Sequence, residues 1–124
     1  MAPVLEPGDR VVAVGRHPTP GAIAVARDPS GLLVVKRVVA VGPATVEIDS
    51  GAITVAGGDG WQPVDDVPGT GRWDLDAGSV FLLSDAPHRT DADSRSWGPL
   101  AADDVLGVVV WRYRPVRRWG SPNA

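Results

Sequence analysis

The sequence predicts an all-β domain, barrel-like or a sandwich, on three observations. Roughly seven short runs rich in β-branched or small apolar residues are each followed by turn residues. The turns draw on 15 glycines and 12 prolines spread along the chain. No segment has the apolar repeat that a helix of useful length needs. The 124 residues suffice for one domain with a sizeable core, and nothing indicates a second.

The first three predicted strands are bounded by proline- and glycine-containing turns. Residues 10–14 (R-V-V-A-V) follow a Pro-Gly-Asp turn and end before a loop with two prolines. Residues 22–26 (A-I-A-V-A) end at Asp-Pro-Ser-Gly. Residues 31–42 (G-L-L-V-V-K-R-V-V-A-V-G) form the longest predicted strand, with one lysine in its middle.

The centre of the chain predicts a β-hairpin and then a long excursion. Residues 45–48 and 52–55 flank Asp-Ser-Gly, which indicates a hairpin in which Gly51 has a positive φ. Residues 56–78 are rich in Gly, Asp and Pro, and we expect an excursion that its two tryptophans partly order.

The last third of the chain predicts two strands around a polar segment. Residues 79–83 are a strand, residues 85–99 are polar and irregular, and the final strand is 105–113, preceded by one helical turn near 101–105. The predicted domain spans residues 1–115. Residues 116–124 complete a basic tail that could contact anionic lipid headgroups or nucleic acid, or only keep the chain in solution.

Composition excludes several functional classes. A net charge of −3 and a pI near 5.2 argue against a nucleic-acid-binding domain. The lack of cysteine excludes disulfides, thiol catalysis and thiolate metal sites. Two histidines without metal-site spacing give no reason to expect a metal, and no cofactor is predicted. No apolar run approaches the 18 or so residues that span a bilayer, so the chain as given is predicted to be soluble.

Lys36 is the residue of the central strand that could carry chemistry. Strand alternation places it on one face with Val34, Val38 and Ala40. Apolar surroundings lower the pKa of a lysine, and a neutral lysine can act as a general base towards a hydroxyl nucleophile. The alternative is that Lys36 lies on an exposed face or extends its ammonium group past its neighbours into solvent.

Four segments carry a resemblance to a known family. They are M-A-P-V-L-E-P-G-D-R-V-V at 1–12, V-V-K-R-V-V-A-V-G at 34–42, F-L-L-S-D-A-P-H-R-T-D-A-D-S-R-S-W-G at 81–98 and V-L-G-V-V-V-W-R-Y at 105–113. In order and approximate spacing they resemble the type I signal peptidases of the S26 family, which use a serine–lysine dyad. The resemblance implies a signal-peptidase-like complex β-fold over nearly the whole chain.

The resemblance implies roles for individual residues. Lys36 is the general base and Arg37 its structural neighbour. The D-S-R box falls on Asp93, Ser94 and Arg95, where the family's aspartate–arginine pair holds the active-site framework. An aspartate and an arginine two residues apart can form a two-point pair that fixes a loop. The alternative for them is a solvated ion pair worth little.

The N-terminal box departs from the family pattern. Met1 and Pro3 match its M-x-P, which implies a substrate-binding segment, but the family's nucleophilic serine immediately precedes that methionine. We therefore expect either a reading frame that starts too late or a serine that has been lost, and the intact Lys36 and Asp93 boxes favour the first. The missing piece would then carry a membrane anchor, with the domain outside the cytoplasm.

A second departure lies before the D-S-R box. The family's G-D-N is replaced by Ser84, Asp85 and Ala86, and the family places a serine two residues before the aspartate to hydrogen-bond the lysine amine. Asp91 holds that offset here, and a carboxylate beside the lysine would raise its pKa and oppose its use as a base. We expect Thr90 to supply the hydroxyl through a one-residue insertion.

The resemblance implies a serine endopeptidase that removes signal or leader peptides through an acyl-enzyme. Its partner would be an extended preprotein segment with small side chains before the cut, added as a strand to a sheet edge. We expect a monomer with membrane-surface contact and no nucleic-acid partner. The alternative function is a catalytically inactive peptide-binding or assembly module of the same fold.

Overall fold

Strands make up most of the regular structure in the computed structural model, which describes residues 10–14, 17–63 and 66–113. Within them the strands are β1 (Arg10–Val14), β2 (Ile23–Arg27), β3 (Leu33–Val41), β4 (Ala44–Asp49), β5 (Ala52–Ala56), β6 (Gly71–Leu75), β7 (Ser79–Leu83), β8 (Leu100–Ala101) and β9 (Val105–Tyr113). One helical turn, α1 (Ser94–Trp97), and one 3-10 turn, Ala102–Asp104, complete the regular elements of these residues. The all-β prediction is confirmed.

The strands form two antiparallel sheets. The larger has the order β1-β9-β2-β3-β7-β8, and the smaller has the order β5-β4-β6. Among the described residues the larger sheet does not close into a barrel, because β1 pairs only with β9 and the two-residue β8 pairs only with β7. The predicted barrel-like shape is thus corrected to two open sheets.

The smaller sheet is built on the predicted hairpin. β4 and β5 pair from Thr45–Ala56 to Asp49–Ala52, which leaves Ser50 and Gly51 as a two-residue loop. Their φ angles are +53° and +85°, the combination that a type I′ hairpin turn requires. The expectation of a positive φ at Gly51 is confirmed.

β6 lies inside the segment that was expected to be a long excursion. It pairs with β4 along its length, and its side chains alternate between solvent and the interior. The inward-facing Trp73 contacts Phe81 of β7 at 4.8 Å between ring centroids. Packing of Trp73 against Phe81 therefore favours the pairing of this polar segment with β4 as a strand.

The larger sheet has an apolar core on each of its faces. One cluster lies between the two sheets and includes Val39, Phe81 and Leu83. The other lies on the opposite face and includes Val38 and Leu82, with Trp97 of α1 packed against it. The central strands β3 and β7 contribute to both clusters because their successive side chains point to opposite faces.

A β-bulge in β3 reduces the number of residues that lie on the same face of the strand as Lys36. The register between β3 and β7 shifts between Val38 and Ala40, and Ala40 packs in the core between the sheets. The expectation that Ala40 lies on the Lys36 face is thus corrected, since a bulge interrupts the alternation of a strand. Val34 and Val38 pack in the other cluster, on the face expected for Lys36.

Candidate active site

Lys36 stands in the middle of β3, between β2 and β7. Its register partner on β2 is Ala24, which is fully buried. Val34 and Val38, two residues away on either side, pack in the apolar cluster of the same face. Lys36 is half-buried and is the only lysine of the 124-residue sequence; the other eleven cations are arginines.

The Lys36 amine is held by the hydroxyl of Ser84. β3 and β7 pair through Arg37–Leu83, and the same antiparallel register, continued by one pair beyond the end of β7, places Lys36 opposite Ser84. Lys36 Nζ lies 3.0 Å from Ser84 Oγ, and Ser84 is only 2% exposed. The lysine thus reaches a buried hydroxyl across the strands.

The pKa of Lys36 lies below the ordinary lysine value of 10.5, and burial is the main cause. The charge of Asp93 opposes this shift, the charge of Arg95 adds to it, and Asp28 gives a weaker opposing effect. A lower pKa leaves more of the amine uncharged at a given pH. A larger fraction of this amine is therefore free to accept a proton than in an exposed lysine.

Asp93 and Arg95 form the two-point ion pair that the D-S-R box was expected to form. Arg95 Nε donates to Asp93 Oδ1 at 2.9 Å, and Arg95 Nη2 donates to Asp93 Oδ2 at 2.8 Å. Asp93 is fully buried. Burial alone would raise the pKa of this carboxyl, but the hydrogen bonds from Arg95 and from two backbone N–H groups hold it below its usual value of 3.8.

The D-S-R box is attached to the end of β7 at two points. Asp93 Oδ2 accepts the backbone N–H of Ser84 at 3.0 Å, and Ser94 Oγ accepts the backbone N–H of Leu82 at 2.9 Å. Asp93 also caps α1, because its Oδ1 accepts the N–H of Arg95. The box therefore fixes the strand end from which Ser84 reaches Lys36.

Arg37 makes a separate set of contacts beside the lysine. Its Nε and Nη2 donate to the two carboxylate oxygens of Asp85 at 3.1 and 3.0 Å. Its Nη1 donates to the carbonyl of Gly21 at 2.8 Å, and its guanidinium lies 5.2 Å from the ring centroid of Trp61. Arg37 therefore joins β3 to the loop that follows β7.

The structure gives the lysine-contacting position to Ser84 instead of Thr90. Thr90 is exposed, and its Oγ accepts the backbone N–H of Ala92. In the sequence, Ser84 stands out only as a replacement within the family's G-D-N motif. Ser84 is the first hydroxyl residue after the apolar strand β7, which makes it a candidate from the sequence. Its contact with Lys36, however, follows only from the register between β3 and β7. Met1 and Pro3 lie outside the described residues.

The arrangement suits proton transfer by an amine. In the part of the chain that the structure describes, no three His, Asp or Glu side chains come together as a metal site would require. Lys36 combines a lowered pKa with a fixed hydrogen-bond partner. These two properties are the ones expected of a general base. Across the same described residues, no helix is long and apolar enough to cross a membrane.

Comparison with known proteins points to one family. A sequence profile of the signal peptidase family, peptidase S26, matches residues 1–114. A probable signal peptidase I-1 from Synechocystis is 32% identical over 142 residues, which covers 98% of this chain and 70% of that protein. A crystal structure of a signal peptidase I from Enterococcus faecalis V583 superposes with a TM-score of 0.58 at 21% identity, over 75% of this chain and 97% of that chain.

Proposed function

This chain belongs to the signal peptidase family, peptidase S26, and we propose that it is a serine endopeptidase that removes signal or leader peptides with Lys36 as general base. Family membership supports the substrate class. The assignment of Lys36 as general base rests on its match to the lysine of the family's K-R-V box and on its half-buried position beside Ser84.

The observation that carries the proposal is the environment of Lys36. A sequence with eleven arginines keeps one lysine, and that lysine is half-buried with its Nζ 3.0 Å from a buried hydroxyl. Arginine cannot serve as a base because its guanidinium stays protonated in proteins. A lysine can, once burial lowers its pKa. Position 36, where the proposed reaction requires a base, thus carries a lysine, which can act as one, and not an arginine, which cannot.

The proposed reaction follows from the amine and a serine hydroxyl. The nucleophile in the proposed reaction is a serine placed directly before Met1, the position that the family motif gives it. Lys36 Nζ accepts its proton as the oxygen attacks the scissile carbonyl, and then gives that proton to the departing amine. Water attacks the acyl-enzyme in the same way, passing its proton through Lys36 to the serine oxygen. The products are the free leader peptide and the mature chain.

The experiment is acylation and cleavage by a version of this chain extended by one serine before Met1. The substrate is a signal-peptide segment with alanine at the first and third positions before the cut, and a β-lactam-type probe traps the acyl-enzyme. We expect cleavage and labelling in the extended chain, and their loss in Lys36→Met, which removes the amine but keeps an unbranched side chain of nearly the same length. Arg72→Met removes an exposed cation from β6 and should leave both unchanged.

Two results would contradict the peptidase proposal. One is a folded extended chain that neither cleaves nor labels, and the other is activity that survives Lys36→Met. In the first case, binding of the uncleaved peptide would indicate an inactive peptide-binding module of the same fold.

A further inference from the structure

We propose that Ser84 is the positioning residue for the Lys36 amine, and that Asp93 and Ser94 hold Ser84 in place through their hydrogen bonds to the end of β7. This inference rests on the proposed function for its catalytic meaning, but the contacts that carry it are independent of the nucleophile. It replaces the expectation that Thr90 supplies the hydroxyl.

The first argument is the strand register. Because Lys36 is opposite Ser84 in the pairing of β3 with β7, their side chains leave the sheet on the same face a few ångströms apart. A lysine side chain is long and flexible and normally places its ammonium in solvent. Here it ends 3.0 Å from Ser84 Oγ, on a residue that is 2% exposed. The contact between Lys36 and Ser84 therefore follows from the pairing of β3 with β7 and does not depend on the conformation of the loop after β7.

The second argument is that the backbone around Ser84 is fixed on every side. Ser94 Oγ accepts the N–H of Leu82, Asp93 Oδ2 accepts the N–H of Ser84, and Asp85 is paired with Arg37. A hydroxyl can orient a partner only if its own position is set by the groups behind it. Three attachments within residues 82–85 supply that support.

The third argument is what the hydroxyl does to the amine. A neutral amine that donates one N–H to Ser84 Oγ has its lone pair directed away from Ser84. The protonated amine makes the same hydrogen bond more strongly, because the donor is then charged. Ser84 therefore aims the base and partly offsets the effect of burial on its pKa. The charged groups that also act on Lys36 are Asp93, Arg95 and Asp28.

The experiment uses the fact that Lys36 is the only lysine. Incorporation of lysine labelled with ¹³C at Cε and ¹⁵N at Nζ gives a single side-chain signal, whose pH titration reports the pKa of Lys36 in the chain as given. In Ser84→Ala we expect this pKa to fall further, because the charged form loses an acceptor. Ser84→Thr keeps a hydroxyl and should restore the titration towards the original curve.

Two further variants separate Ser84 from other hydroxyls. Ser50→Ala is the matched control, since Ser50 lies at the exposed tip of the β4–β5 hairpin. Thr90→Ala tests the competing hydroxyl. An unchanged titration in Ser84→Ala, or a shift in Thr90→Ala as large as that in Ser84→Ala, would overturn the proposal. If Ser84→Ala does not fold, Ser84→Cys gives the same comparison because sulfur is a weak acceptor.

Kinetics of the serine-extended chain provide the second readout. Ser84→Ala should lower kcat about 10-fold or more with little change in KM, since an orienting hydrogen bond to a charged group is lost. Ser84→Thr should recover part of the rate. An equal fall in Ser84→Ala and Ser84→Thr would indicate a packing role and contradict the proposal. If no variant is active, the titration still decides the role of Ser84, so failure of the peptidase proposal is distinguished from failure of this one.

Discussion

The carboxylate of Asp93 accepts the backbone N–H of Ser84 at 3.0 Å, directly behind the hydroxyl that contacts the Lys36 amine. The same carboxylate forms two hydrogen bonds with the guanidinium of Arg95, whose side chain is only 7% exposed. A buried charge at this position therefore supports both the loop and the strand end. Its removal should have consequences for stability and for acid tolerance.

We predict that Asp93→Asn lowers the free energy of unfolding by about 3–5 kcal/mol, because it leaves the buried Arg95 guanidinium without a counter-charge. Denaturant unfolding of the two proteins measures the difference. The matched control is Asp74→Asn, since Asp74 pairs with Arg72 at 3.7 Å and both side chains are mostly exposed. That change should stay within about 0.5 kcal/mol. Equal effects at the two positions would contradict the prediction.

Acid sensitivity should follow from the lowered pKa of Asp93. In the unfolded chain this carboxyl titrates near 3.8, and in the folded protein its pKa is lower. The stabilisation is therefore complete above the unfolded pKa and is lost as the pH falls through the folded pKa. Thermal unfolding from about pH 5 downward should show a steeper loss of stability in the original protein than in Asp93→Asn. Parallel curves would rule out Asp93 as the source.

Much of the fold could be predicted because its determinants are local. Residues 10–14, 79–83 and 105–113 were predicted as strands and coincide with β1, β7 and β9. Each is a run of mainly apolar residues followed by turn residues, so the sequence indicates both the strand and the residue at which it ends. The Asp93–Arg95 ion pair could also be predicted from the sequence, because a spacing of two residues is enough to bring these side chains together.

What could not be predicted depends on pairing between distant segments. Ser84 meets Lys36 through the register of β3 with β7, which separates the two residues by 48 positions in the chain. β6 was missed because a Gly- and Asp-rich segment becomes a strand only when β4 offers its edge and Trp73 packs on Phe81. The bulge that turns Ala40 away from Lys36 has no local signature either.

We predict that Lys36→Met abolishes the proposed activity but raises the free energy of unfolding at neutral pH by about 1 kcal/mol. The expected gain in stability arises because a buried basic group that serves function is unfavourable for folding. The sign follows from the lowered pKa of Lys36. Below its folded pKa, Lys36 holds an ammonium group in partly apolar surroundings, which lowers the stability of the original protein. As the pH rises from the folded pKa towards the unfolded value of 10.5, the folded protein loses its proton first, and its stability increases relative to the variant.

Denaturant unfolding between neutral and alkaline pH checks this prediction. The advantage of Lys36→Met should shrink towards pH 10.5, the ordinary lysine value. Arg72→Met, at an exposed position on β6, should show no comparable dependence on pH. A difference between Lys36→Met and the original protein that stays constant with pH would mean that the burial of the amine does not govern its titration.

We predict that Arg37→Lys lowers the free energy of unfolding by about 2 kcal/mol, although it keeps the charge. Lysine presents a single ammonium group, so it cannot reproduce the two hydrogen bonds to Asp85 together with the one to the Gly21 carbonyl and the contact with Trp61. Asp85 is nearly buried, with a side chain 5% exposed, and would keep an incomplete partner. Arg72→Lys, at an exposed pair, is the control and should have little effect.

A double-mutant cycle with Arg37→Ala and Asp85→Ala separates this ion pair from general packing. We expect a coupling energy of about 1–3 kcal/mol, because the two side chains are in direct contact and largely removed from water. Since Asp85 directly follows Ser84, the same variants should also broaden the Lys36 side-chain signal as the end of β7 loosens. A coupling energy near zero would show that Arg37 stabilises β3 through Trp61 and Gly21 alone, and the link between Arg37 and the lysine site would fail with it.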